Sequence, residues 1–301
     1  MPVVLIAMPP SGPFQDVRHS LTRELERTFD VQTLLVTEST TPESFRTAIE
    51  RATPRCVVLM NNATVRLYRD FQRANHSAGR APAVPPAVIV MTAFLEDLRK
   101  ELSRVTGIAY EVPGVTAFVG LRTIIKTPVT RVGVVHAPYE RSFIERQTRL
   151  AAREKITLVP VEVSNQPTAP EINDALAELR RNQRIDALWV LNDSRLLKDA
   201  AFIAEAWRPE VGFMGVPVIV GAASLLEARS KFGSFAVLPD HAALGVQTAN
   251  LLLDLQDDDW RMDAHPIDLP LSTITVLDVT EARARFGLRD NALQHVDRTI
   301  E

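Results

Sequence analysis

Short apolar runs alternate with stretches of helical spacing along this chain, and the alternation happens twice. Val3–Met8, Arg55–Met60 and Ala87–Met91 are bounded by turn-forming residues and are apolar on both faces. Strands of a parallel sheet covered on both sides read this way. Between such runs, Phe14–Phe29 places Val17, Leu21, Leu25 and Phe29 on one helical face. A strand–helix–strand series folds as βαβ units, giving a parallel sheet with helices on both faces. The constraint is strong because a parallel strand cannot follow its neighbour through a tight hairpin.

The first series has strands at Val3–Met8, Val31–Val36, Arg55–Met60, Ala87–Met91 and Gly107–Tyr110. Its helices are Phe14–Phe29, Thr41–Ala52, Ala63–Ala74 and Phe94–Val105, with a loop at Asn75–Pro86. The second series opens with a helix at Thr116–Ile125 and has strands at Arg131–His136, Thr157–Val163, Ala187–Leu191, Val216–Val220, Ser234–Leu238 and Ile274–Val276. Its other helices are Tyr139–Lys155, Ala169–Asn182, Ser194–Trp207, Ala222–Lys231, Asp240–Leu255 and Thr280–Phe286, the last closed by Gly287. The expected fold is α/β: two Rossmann-like lobes with parallel sheets, joined by a hinge the chain crosses several times. Residues 1–112 plus 240–270 form the N-terminal lobe, 113–239 the C-terminal lobe, and 271–301 a closing strand and helix. The crossings fall near Tyr110–Pro113, Leu238–Asp240 and Leu269–Ser272. A length of 301 residues suits two domains.

Composition removes several function classes. The net charge of −3 argues against a nucleic-acid binder, which usually has a basic face. Cys56 is the sole cysteine, so it forms no internal disulfide and reads as a small core residue. No apolar run has the ~20 residues of a membrane span. The start, MPVVLIAMPPSG, lacks the basic segment of an export signal and reads as a strand. The expected location is periplasmic or extracytoplasmic if such a signal was removed, and cytoplasmic otherwise. No H-E-x-x-H, P-loop or G-x-S-x-G pattern occurs, and the six histidines are scattered. Neither an enzyme nor a metal or other cofactor is expected. Asp257-Asp258-Asp259 reads as a solvated turn, lacking the glycine and final glutamate of a calcium loop.

Ligands of open parallel α/β sheets bind outside the carboxyl ends of the strands. This rule selects Ser11, Gly12 and Phe14; Asn61, Asn62 and Thr64; Thr92 and Phe94; and Tyr110 beside Glu111 in the first lobe. In the second it selects His136 and Tyr139; Asn192 and Asp193; and Gly221 and Ser224. Helices begin after several of these loops, and their free N–H groups favour an anion. Asp193 can accept from a ligand ammonium, and the aromatic residues can wall the site. An amino-acid-like ligand, carrying both charges, suits the set. Each residue has a plainer reading too. Asp193 and Asp240 are good helix caps, Asn61-Asn62 can simply turn the chain, and Phe94 and Tyr110 can be core. His136 can hydrogen-bond within its own surface, and Glu111 can be a solvated hinge residue.

The segment VTRVGVVHAPYERSFIERQTRLAAREKITLVPVEV, preceded by TGIAYEVPGVTAFVGLRTI, resembles the substrate-binding proteins of ABC transporters that bind tryptophan and related amino acids. DALWVLNDSRLL, FAVLPD before LGVQTANLLLDL, and the tail TITVLDVTEARARFGL fit the same order of segments. The likeness covers Gly107 to Leu288 well and the first hundred residues in outline. The family's lipobox cysteine is missing here, and PPSGPFQD differs from the family's first loop. The resemblance implies a type I periplasmic-binding fold that traps a small molecule between its lobes by hinge closure. The implied partners are that small molecule and an ABC permease, with no nucleic acid and no membrane span, the protein being a monomer or weak dimer. A ligand-sensing regulatory domain of the same fold, or less readily a cytosolic enzyme, is the alternative. A LacI-type repressor needs a DNA-binding headpiece, whereas this chain starts on a strand.

Overall fold

The computed structural model describes residues 1–77, 84–227 and 232–301. The chain divides into two compact units, Met1–Glu111 with Pro239–Ser272, and Val112–Leu238 with Thr273–Glu301.

The first unit opens as β1 (Val3–Met8), α1 (Gly12–Leu25), β2 (Asp30–Leu35), α2 (Pro42–Ala52), β3 (Cys56–Met60), α3 (Asn62–Ser77), β4 (Ala87–Val90), α4 (Leu95–Arg99) and β5 (Val105–Gly107). The strands pair in parallel in the order β2-β1-β3-β4-β5. Successive side chains leave opposite faces of a strand. Val4, Ile6 and Met8 of β1 therefore join Cys56, Val58 and Met60 on one face, under Val17, Leu21 and Leu25 of α1. Leu5, Ala7, Val57 and Leu59 point the other way, under Phe45 and Ile49 of α2 and Val65 and Tyr68 of α3. Such runs are buried on both faces, which is why they show no alternation in the sequence.

Two elements here differ from expectation. The helix after β4 stops at Arg99 instead of reaching Val105. Gln72 of α3 holds Ser103 at both its N–H (3.0 Å) and its carbonyl (2.7 Å), and Arg104 turns at φ 52°, so the chain is extended before β5. Past Gly107, Ile108 still donates to the Ile89 carbonyl at 3.0 Å and bridges Asp268, and the fifth strand ends short of Tyr110.

The second unit continues with α5 (Gly114–Ile124), β6 (Arg131–His136), a 3-10 turn at Pro138–Glu140, α6 (Arg141–Arg153), β7 (Thr157–Glu162), α7 (Ala169–Arg181) and β8 (Ala187–Val190). Then come α8 (Ala200–Phe202), a π-turn at Ile203–Trp207, α9 (Arg208–Met214), β9 (Val218–Val220) and β10 (Phe235–Pro239). Its core includes Trp189, met edge-on by Phe118 at a centroid distance of 5.3 Å.

The helix expected at Ser194–Trp207 starts only at Ala200, where Asp199 accepts the N–H of Phe202 at 2.8 Å. It then runs past Trp207 to Met214. The π-turn has a chemical cause: Pro209 has no N–H to return to the Glu205 carbonyl, and Asn173 of α7 donates there instead at 3.4 Å. The helix expected at Ala222–Lys231 is a single 3-10 turn, Ala223–Leu225. The Leu225 carbonyl takes the N–H groups of Phe232 and Gly233, which brings the chain back toward β10; residues 228–231 lie outside the described residues.

The chain returns to the first unit as α10 (His241–Asp257), capped by Asp240, whose carboxylate accepts from Ala242 and Ala243. Its Leu244, Leu252 and Leu255 complete the core face under α1. The last segment adds β11 (Thr273–Asp278), α11 (Val279–Glu281), a π-turn to Phe286 and β12 (Arg298–Ile300). The second sheet has the order β12-β11-β10-β9-β8-β6-β7. β11 is longer than the strand expected at Ile274–Val276, and β12, short and polar, has no counterpart in the sequence reading.

Candidate functional site

In the first unit the loops after β1, β3, β4 and β5 leave the carboxyl edge of one parallel sheet. Ser11 and Gly12 stand exposed at the start of α1, and the Ser11 hydroxyl makes no capping bond. Phe14, partly buried, packs against the core. Asn61 turns the chain at φ 89° and caps α3: its side chain accepts the Thr64 N–H at 2.9 Å, and the buried Thr64 hydroxyl returns to the Asn61 carbonyl. Asn62 reaches the neighbouring loop, donating to the Ala93 carbonyl at 3.2 Å and accepting the Ala93 N–H at 3.0 Å. Thr92 is fully buried on the Val90 carbonyl. Phe94 sits at φ 58°, and its N–H donates to the Glu111 carboxylate. A left-handed backbone costs a residue with a Cβ about 1–2 kcal/mol, so these bonds hold a shape the chain would otherwise leave. Tyr110 hydrogen-bonds His241 Nε2 at 3.0 Å and stacks on that ring. Burial pushes the Tyr110 phenol up to about 12 and the His241 imidazole down.

In the second unit the loops after β6, β8 and β9 share the carboxyl edge of their sheet. His136 is buried, with Nδ1 3.0 Å from the Ala137 carbonyl oxygen. Asp193 is 8% exposed, and its Oδ1 accepts the N–H groups of Arg195 (2.6 Å) and Leu196 (3.2 Å). Glu140 is 1% exposed, and its Oε2 accepts the Ala137 N–H at 2.7 Å. Its other oxygen, Oε1, is buried with no hydrogen-bond partner among the described residues. Burial, reinforced by the Asp193 charge, pushes the Glu140 carboxyl up to about 8. The Tyr139 phenol is raised by burial and by both carboxyls. The Arg195 guanidinium lies over the Tyr139 ring, 4.5 Å from its centre. Asn192 abuts Gly221, where a Cβ would fall 2.8 Å from the Asn192 Cβ; Ser224 is exposed on the 3-10 turn beyond.

The structure thus joins Asn61 with Thr64, Asn62 with Ala93, Phe94 with Glu111 and Tyr110 with His241 in one unit. In the other it joins Tyr139 with Arg195, and Asn192 with Gly221. Ser11 and Gly12 stand exposed at the start of α1. Glu140, Arg195 and His241 are absent from the sequence-derived set. Glu140 lies at the third position of a capping box read as plain helix, and His241 follows a cap; only the burial of an acid after Pro138 would have signalled Glu140. Among the described residues no group of three His, Cys, Asp or Glu could hold a metal, and no helix is long and apolar enough to cross a membrane.

Two parallel α/β units, linked by three chain passages and closed by a returning helix, match solved structures along almost the whole chain. The fold is the type I periplasmic-binding fold. An ABC domain in complex with L-Trp from Streptococcus pneumonia superimposes with a TM-score of 0.64 at 14% identity, covering 99% of each chain. The ligand-free, open form of a substrate-binding protein with adhesive properties from Clostridium difficile gives 0.70 at 11% identity, over 100% of this chain and 99% of that one. A periplasmic ribose ABC transporter protein from Conexibacter woesei gives 0.53 at 16% identity, over 94% of each. No family model matches the sequence. No curated protein matches it either. In a type I periplasmic-binding fold, the carboxyl-edge loops just described are the ones the strand-end rule assigns to a ligand.

Proposed function

We infer that this protein is a solute-binding protein and not an enzyme. It captures a small, amino-acid-like molecule on the carboxyl-edge loops of its two units and delivers it to an ABC permease on the extracytoplasmic side. Asp193 carries the reading. It is a nearly buried carboxylate, held in place by two backbone N–H groups, at a strand end where this fold places ligands. Such a group is preorganised to accept an ammonium, because its orientation is fixed before the ligand arrives. In the first unit, exposed Ser11 and Gly12 open the 14-residue helix α1, whose free N–H groups suit a carboxylate. The L-Trp complex in the same fold agrees with this choice of class, and the ribose protein shows that the fold alone does not impose it.

The test is a thermal-shift panel of the twenty amino acids, small carboxylates, nucleosides and sugars. A ligand at ~100 times its dissociation constant adds about 2.7 kcal/mol of stability. Stabilisation confined to amino acids supports the assignment. A sugar or nucleoside as sole hit would sink the amino-acid class, and silence across the panel would count against solute capture.

A further inference from the structure

Each sheet ends in two edge strands, and an unpaired edge offers its N–H and C=O groups to any further strand. Proteins blunt such edges with a cover, a proline, a charge or a very short strand. Among the described residues, three of the four edges are blunted in these ways. β5 is covered by the returning chain: Asp268 donates to the Gly107 carbonyl at 3.1 Å, and its own carbonyl accepts the Ala109 N–H at 2.8 Å. β12 is short and begins with exposed Arg298. In β7, Thr157 and Val163 donate to the neighbouring chain at Thr130 and His136, so alternation turns Pro160 outward, where its missing N–H faces solvent. β2, at the edge of the first sheet, has none of these devices. Asp30 and Val36 donate inward to Pro2 and Met8, so the backbone groups of Val31, Thr33 and Leu35 point outward. From Val31 to Val36 there is no charge, no proline and no glycine. Thr33 is exposed, and the apolar Leu35 is 51% exposed.

We propose that β2 pairs antiparallel with β2 of a second copy of this chain, about a two-fold axis through Thr33, making a reversible homodimer. The occupant is a second copy because the strand is its own complement. A dyad on Thr33 sets that residue against its counterpart and Val31 against Leu35, and these are the residues whose backbone groups face outward. Each opposed pair then exchanges both of its N–H···O bonds. A dyad on Gln32 or Leu34 would leave Leu35 or Val31 without a partner inside the strand. On one face Thr33 meets Thr33 and the exposed Leu35 covers Val31; on the other Leu34 lies opposite Gln32. Apolar and threonine pairs of this kind are favourable, and no like charges are opposed. One strand pair is smaller than the ~1,600 Å² of a standard interface, so the dimer dissociates in the micromolar range. Antiparallel pairing sends the carboxyl edges of the two first-unit sheets in opposite directions, so it does not set one copy's ligand loops against the other's.

The test is sedimentation velocity of the full chain from about 1 to about 200 μM, a span that brackets a micromolar dissociation constant. The expected result is a mass that climbs from one chain toward two. Thr33→Pro removes an outward N–H that β1 does not use, and Leu35→Lys sets a charge against Val31 of the second copy. Both variants should remain single chains throughout. Thr33→Cys places two thiols on the dyad, where opposed Cα atoms about 5.5 Å apart suit a disulfide. Mild oxidation should link its copies far faster than those of Gln32→Cys, whose thiols are out of register; the buried Cys56 does not compete. A wild type that stays a single chain at the top of the range overturns the inference, and so does a dimer that survives both Thr33→Pro and Leu35→Lys. If those variants fold poorly, the cross-linking decides: equal rates for Thr33→Cys and Gln32→Cys remove the dyad. A strand of some other protein as the true occupant would show as a wild type that never self-associates. The thermal-shift panel reads solute capture separately, so either reading can fail without the other.

Discussion

Asp193 has one job in the structure and a second in the proposal, and a single substitution can separate them. Its Oδ1 ties the turn at Arg195 and Leu196, and the same carboxylate is the proposed ammonium acceptor. Asp193→Asn keeps a side-chain oxygen for the turn and removes the charge. Its affinity for the amino acid identified by thermal shift should fall roughly tenfold to a hundredfold, the loss of about 1.5–3 kcal/mol for a charge-assisted bond. Its melting temperature should stay near that of the wild type. Unchanged affinity would leave Asp193 only its turn. Glu140 makes a prediction about stability alone. Its folded carboxyl holds a proton up to about 8, whereas the unfolded one releases it near 4.5. The folded state therefore binds more protons between these values, and stability falls as pH rises through that window. The stabilising contribution is complete below about 4.5 and gone above about 8. Urea titrations across this range should show a decline that Glu140→Gln lacks; parallel curves would mean that Glu140 is ionised in the folded protein. Neither behaviour was legible in the sequence. Glu140 is one of many charged residues in predicted helices, and nothing local says that it is buried.

At the scale of elements, apolar runs told where strands lie because a strand buried on both faces has no polar side to interrupt it. Helix ends were less legible, since distant groups decide them. The arrest of α4 depends on Gln72, some thirty residues earlier, and the π-turn before α9 on Asn173 and a missing N–H at Pro209. Close packing between elements is equally non-local. Gly245 in α10 reads as a weak spot in a helix, yet a Cβ there would sit 2.4 Å from the Val17 carbonyl oxygen of α1. The glycine is what lets the two helices touch. Gly245→Val should cost about 1–3 kcal/mol through overpacking, against any gain in helix propensity. Urea unfolding measures this, and an unshifted midpoint would mean that the helices are farther apart.

At the scale of the whole molecule, the chain passes from unit to unit at 111–112, 238–239 and 272–273. Hinge motions need a few residues that absorb backbone change, and these three passages are where the chain could supply them. Under the proposed function, saturating the protein with its amino acid should lower the radius of gyration by small-angle scattering. Identical scattering curves with and without ligand would remove hinge closure from the mechanism.

The sequence by itself determined the α/β class, the parallel sheets and the loops at the carboxyl edges of their strands. These follow from local periodicity and from the rule that βαβ units leave their strand ends on one edge, and each needs only a window of about ten to twenty residues. Which of those loop residues meet, only the tertiary structure decided. The Asn62 clamp on Ala93, the bond of Phe94 to Glu111, the stack of Tyr110 on His241 and the enclosure of Glu140 all join residues far apart in the chain or turn on burial. Burial sets the protonation of a carboxyl and the worth of a hydrogen bond. It is a property of everything packed around a residue, and so it exists only once the chain has folded.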